Sequence, residues 1–186
     1  WRSIFATMAL ISLVALVLSV ITLPETLPTE GRQPRPFRTG AKTAKRLVSE
    51  RGFLIMALVA GLIQSGMFAF ITGSSGVFQG IFGLSSIGFG LMFAAIATAL
   101  IIFGRINGML LNRYSPEQIL TAVLPLFFAA TLILALLSQT SSLLVFAIPL
   151  WISIGCVGLL SANAMSIAMS LTEKGAGMGS ALLGAI

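Results

Sequence analysis

Histidine is absent from this chain of 186 residues, cysteine occurs once, and Asp and Glu together number five. A zinc site, a haem or a pair of catalytic carboxylates therefore has almost nothing to be built from. Cys156 lies inside an apolar run and has no partner for an intrachain disulfide. No nucleophile stands beside a base, and no phosphate-cradling loop is followed by Lys and Ser or Thr. An enzyme is disfavoured, and no cofactor or metal is expected. Charge of either sign is scarce too, at 9% of residues, where soluble domains carry about 25%. The net charge of +6 is no nucleic-acid signal, because no basic patch is interleaved with aromatics.

Apolar residues fill what the charges leave. They make up 57% of the chain and set a mean hydropathy of +1.05, which removes the soluble globular class and predicts an integral membrane protein. The fold class expected is all-α, a polytopic membrane helical bundle. Residues 4–23 are twenty positions without a charge, enough at about 1.5 Å per residue to cross a hydrocarbon core of about 30 Å. Further spans are expected at about 53–72, 87–104, 119–137 and 143–169, and a last one opens at 177–186. Pro125 is a kink candidate in the fourth of these six. The uncharged, glycine-rich residues 73–86 read as a short turn carrying at most a partial interfacial helix. The chain starts on Trp1, enters its first apolar run within three residues and stops inside another, which predicts a piece cut at both ends.

Residues 24–52 are the polar exception. They hold seven of the eleven basic residues and three of the five acids. Counted by alternate connections, this segment, 105–118 and 171–176 share one side and carry ten basic residues, against Arg2 alone on the other. The positive-inside bias then makes 24–52 a cytoplasmic linker. Its basic part, 42–51, reads equally as a short helix on an anionic lipid surface or as a solvated tether.

Polar groups within spans are the functional candidates, since a polar side chain at membrane depth is expensive. Gly61, Gln64 and Phe68 share a face at i, i+3 and i+7, with Ser65, Met67 and Phe70 beside them. That face either lines a cavity or hydrogen-bonds and packs on a neighbouring helix. Cys156, Asn163, Ser166 and Ser170 form a stripe on the fifth span among small residues, and Asn163 has the same two readings, ligand contact or an interhelical hydrogen bond. Arg105, Asn107 and Arg113 follow the third span with a Gly104-xxx-Gly108 spacing. They read as a cytoplasmic gate, in which an arginine binds a helix C-terminus or an acid and releases it, or as positive-inside anchors. No Asp or Glu lies in any span, so the titrating group of a proton-coupled protein is not among these residues.

Several stretches, in order along the chain, resemble the Bcr/CflA-type drug resistance transporters of the major facilitator superfamily. Trp1-Arg2-Ser3-Ile4-Phe5 and Pro24-Glu25-Thr26-Leu27 resemble the two ends of that family's sixth helix. Gly66-Met67-Phe68-Ala69-Phe70 is similar to its seventh, Ser161-Ala162-Asn163-Ala164 to the end of its tenth, and Gly175-Ala176-Gly177-Met178-Gly179-Ser180-Ala181-Leu182 to the start of its eleventh. The chain departs from the family at Gly76, where relatives often carry proline, and in lacking an acid in the connection around Arg113. The resemblance implies twelve helices in two halves: residues 1–23 as the last helix of the first half, 24–52 as the linker, and 53–186 as most of the second half. It implies proton-driven export of small hydrophobic drugs from a bacterial cytoplasmic (inner) membrane, with Gln64, Met67, Phe68 and Asn163 on the cavity wall. The partners implied are the lipid bilayer, the proton and the N-terminal half of the same protein. The rival readings are an exporter or importer of one metabolite, a non-transporting membrane subunit, and a channel.

Overall fold

The computed structural model describes residues 2–22, 36–172 and 176–185. Much of the expected linker, and Glu173 and Lys174 in the last connection, lie outside the described residues. The described chain is helical throughout, with no strand. It divides into one unit up to Thr39 and another from Gly40 onward. The first holds α1 (Arg2–Thr22), 21 residues without an acid, about 31 Å long at the usual rise. Its two threonines are bonded within the helix: Thr7 and Thr22 donate to the carbonyls of Ser3 and Leu18, one turn back.

Helix α2 (Pro36–Ser49) leads into the second unit, which continues with α3 (Arg51–Ser75), α4 (Ser86–Leu110), α5 (Pro116–Leu136), α6 (Leu143–Ser170) and α7 (Ala176–Ala185). With α1, the helices α3 to α6 are long and apolar enough to cross a membrane; α7 is shorter. The protein is a multi-pass membrane protein. Helix α6 is the hub, packed against α3, α4, α5 and α7. Half of its most apolar stretch is buried, against 11% for α3 and α4. Gly155 and Gly158 permit this, since a β-carbon at Gly155 would sit 2.5 Å from the Phe103 ring and one at Gly158 would sit 3.1 Å from Leu100. Between α6 and its neighbours pack Ile63, Leu120, Val157, Leu160 and Ala164.

Helix starts are signalled locally. At α5, Ser115 Oγ accepts from the Gln118 amide while Gln118 Oε1 accepts from the Ser115 amide, and Pro116 takes the first helical position. At α4, Ser85 Oγ accepts from the Gly88 amide at 3.1 Å.

Two boundaries differ from the sequence expectation. No turn opens at Gly73: α3 runs to Ser75 and continues as a π-helical turn over Gly76–Ile81, and the reversal comes at Gly83, with φ of +67°. Glycines weaken a helix in water, but an apolar medium penalises unpaired backbone more, so the helix persists through them. Phe78, 1% exposed, anchors this end against Phe82, Phe89 and Phe146. Likewise α4 does not stop near 104 but runs to Leu110, which brings Arg105 and Asn107 into its last two turns. Arg105 and Asn107 made this stretch look like a connection, while Ile106, Met109 and Leu110 keep it helical.

Helix α2 settles one alternative for the basic stretch. Its buried or half-buried positions, Gly40, Thr43, Ala44 and Leu47, form an i, i+3, i+4, i+7 stripe. That stripe rests on protein: Leu47 packs with Phe53, Ala57 and Ala168, and Gly40 meets Met178. Lys42 and Lys45 are exposed on the opposite face. Leu47, the large apolar side chain of that stripe, is used on the bundle, while Val48 stays exposed.

Candidate functional site

Gln64 lies near the middle of α3, about 20 Å along the helix axis from Arg51. Most hydroxyls within the spans donate to a carbonyl of their own helix, as Ser65 does to Gly61, Ser153 to Pro149 and Ser161 to Gly158. That is the usual way to satisfy a polar group where water is absent. Gln64 makes no hydrogen bond to any described residue. Its side chain opens into a cavity of about 450 Å³ between α3, α6 and α7. Ala60, Gly61, Ser65 and Phe68 line it from α3, Ser161 and Met165 from α6, and Leu183, Gly184 and Ala185 from α7. The lining offers one amide, two hydroxyls, one aromatic ring and one thioether, and no charged residue. Such a surface suits apolar ligands of varied shape, because thioethers and ring faces adapt.

The four expected wall residues do not lie together. Gln64 and Phe68, one turn apart, share the cavity, and Phe68 is 59% exposed to it and its surroundings. Met67 belongs to the neighbouring stripe with Ile63, which packs on α6 and is 4% exposed. Met67 therefore fills the core and does not line the wall.

Asn163 is not a wall residue either. It is 1% exposed, and its Nδ2 donates to Asn107 Oδ1 at 2.7 Å and to the Leu159 carbonyl at 2.8 Å. Of its two sequence readings, the interhelical bond is the one present. The expected stripe also separates: Cys156 is buried with Asn163, whereas Ser166 and Ser170 are exposed.

Asn107 thereby leaves the expected gate. Its side chain points into the bundle and ties the end of α4 to α6, and it is 8% exposed. Arg105, in the last turns of α4, and Arg113, in the turn after it, are exposed, and neither pairs with a described acid. The three residues form no single constellation. Ser161 and Met165 were missed in the sequence, although they are an i, i+4 pair on α6 as Gln64 and Phe68 are on α3.

A second cavity, of about 270 Å³, lies between α3, α5 and α6. Phe70, Phe78, Phe127, Phe146, Leu150 and Ile154 dominate its lining. Its hydroxyls, on Ser74, Thr131 and Ser153, all donate to carbonyls of their own helices. It offers a ligand no free polar group, in contrast to the Gln64 cavity.

Compared with known proteins, residues 1–186 match the family model described as Major Facilitator Superfamily. Among similar proteins is the "Uncharacterized MFS-type transporter YdgK" of Bacillus subtilis, 31% identical over 99% of this chain and 46% of its own length. A "Bicyclomycin resistance protein homolog" of Haemophilus influenzae is 27% identical over all of this chain and 47% of its own. A "Chloramphenicol resistance protein" of Pseudomonas aeruginosa is 27% identical over 94% of this chain and 40% of its own. The chain thus spans about half the length of the curated relatives it matches.

Proposed function

The chain belongs to the major facilitator superfamily, and from that premise we propose that it supplies one helix of the first half and most of the second half of a proton-driven drug exporter. The substrates are small hydrophobic drug-like molecules, and the Gln64 cavity is this half's share of their binding site. The observation that carries the reading is the Gln64 amide, which has no hydrogen-bond partner among the described residues, lies at mid-helix and faces a cavity. A polar group so placed is costly unless something in the cavity bonds to it. The resistance named in two relatives supports the choice of drugs as substrates.

In this reading residues 24–52 are a cytoplasmic linker in a bacterial inner membrane, because ten of eleven basic residues then face the cytoplasm. Residues 1–23 close the first half and 53–186 belong to the second. The two halves rock about a midplane site, and the proton-titrating acid belongs to the first half. In the same reading Arg105 and Arg113, both exposed, contact the first half when the cytoplasmic end closes.

The test is drug uptake into energised inverted vesicles holding the full-length transporter. Gln64→Leu and Phe68→Ala should lower uptake of chloramphenicol or bicyclomycin while leaving the amount of protein unchanged. Uptake equal to the parent's in both variants, for every drug carried, would remove the cavity from the transport path.

A further inference from the structure

Adjoining the Gln64 cavity, and displaced along each of three helices toward the end assigned to the cytoplasm, lies a second group of residues. On α3 the cavity begins at Ala60, and Phe53 and Ala57 precede it; on α6 it ends at Met165, and Ala168 follows; on α7 it uses Leu183, and Met178 and Leu182 precede it. Leu47 of α2 is packed into this group and has no exposed surface. Leu183 touches both the cavity and the group. A cavity that opened straight to the cytoplasm between α3, α6 and α7 would need this space clear, and a linker side chain fills it.

We propose that α2 is a cytoplasmic stopper for the cavity, with Leu47 as its plug, and that α2 lifts when substrate enters from the cytoplasm. The inference rests on the transport reading above.

The construction of α2 suits a part that seats and lifts. Its contact stripe is small apart from Leu47, and Gly40 lets the helix lie against the tip of Met178, where a β-carbon would come within 2.8 Å. Small residues give close approach with little area to separate. Lys42 and Lys45 on the outer face keep that side in water, so the helix cannot sink deeper. A single residue joins α2 to α3: the Glu50 amide donates to the Leu47 carbonyl at 3.1 Å, and the Glu50 carbonyl accepts from Leu54 at 3.0 Å. The swing has one short joint, adjacent to the plug.

The experiment uses the full-length transporter with Cys156→Ala and any other cysteine replaced, and as reporter Gly184→Cys, which lines the same cavity, has open space for a side chain and leaves Gln64 in place. Inverted vesicles present the cytoplasmic face to a membrane-impermeant maleimide. Leu47→Ala should raise the labelling rate at least about tenfold, since emptying a buried leucine position shifts a packing equilibrium by that much or more. Leu47→Met, which keeps the volume, should label like the parent. Equal rates for Leu47→Ala and the parent overturn the stopper.

A second arm does not depend on Leu47→Ala folding. Gly40→Cys with Met178→Cys, joined by a cleavable thiol cross-linker, should suppress both labelling and drug uptake, and cleavage should restore both. Undiminished uptake with α2 tethered also overturns the proposal. Labelling reports the seal whether or not a drug is carried. A parent protein that labels as expected but moves no drug sinks the transport reading alone.

Discussion

Replacing Gly155 by alanine tests a close approach between α4 and α6. The added β-carbon would stand 2.5, 2.6 and 2.7 Å from three carbons of the Phe103 ring. Carbon atoms are comfortable at about 3.5–4.0 Å, so the shortfall is about 1 Å. The ring cannot simply rotate aside, because Trp151 meets it edge-on at 5.6 Å and 78°. Trp151 is itself held, its indole N–H donating to Thr98 Oγ1 at 3.1 Å. Either α4 and α6 separate locally or the Phe103–Trp151–Thr98 chain breaks. Overpacking of this kind costs about 1–3 kcal/mol. Alanine returns up to about 1 kcal/mol as the better helix former, and because a shortfall of about 1 Å against a held ring puts the overpacking at the upper end of its range, Gly155→Ala is left net destabilised by about 2–3 kcal/mol. The assay is unfolding of the purified full-length protein by detergent titration. The same substitution in a Phe103→Ala background should be neutral or stabilising. A Gly155→Ala protein as stable as the parent, with Phe103 intact, would refute the packing of α4 on α6.

Two further outcomes use the same assay. In a double-mutant cycle, Asn163→Ala and Asn107→Ala should couple by about 0.6 kcal/mol, the mean for interhelical hydrogen bonds in membranes, and by no more than about 1.7 kcal/mol, and strictly additive losses would mean that the 2.7 Å contact carries nothing. Phe78→Ala removes the ring on which Phe82, Phe89 and Phe146 converge and should cost about 3–5 kcal/mol; a loss below about 1 kcal/mol would place the π-helical turn outside the folded core.

The membrane class and the all-α bundle were legible because length and charge distribution decide them, and both survive any local error. Helix ends were harder. Glycines at 73, 76 and 80 and the polar pair Arg105 and Asn107 are stop signals in water, but in an apolar medium the backbone bonds outweigh them. The site was half legible. Periodicity groups Gln64 with Phe68, yet it cannot say that the adjacent stripe, Ile63 and Met67, is the one that meets α6. It also leaves Asn163 able to face a ligand or another helix, because its partner Asn107 is 56 residues away. Leu47 carried no signal at all, being one leucine in a basic segment until α7 and α3 supply the pocket around it.

The most direct test of the central claim, that drugs bind against Gln64, Phe68 and Ser161, is substrate protection at a single site. In the full-length transporter with other cysteines replaced, the rate of maleimide labelling at Gly184→Cys, in the same cavity lining, is followed with and without a saturating transported drug. Binding in the cavity predicts labelling slowed in proportion to occupancy, while a thiol placed instead at the exposed Asn112, in the turn after α4, keeps its rate. Equal labelling at Gly184→Cys with and without a drug that the same vesicles transport contradicts it.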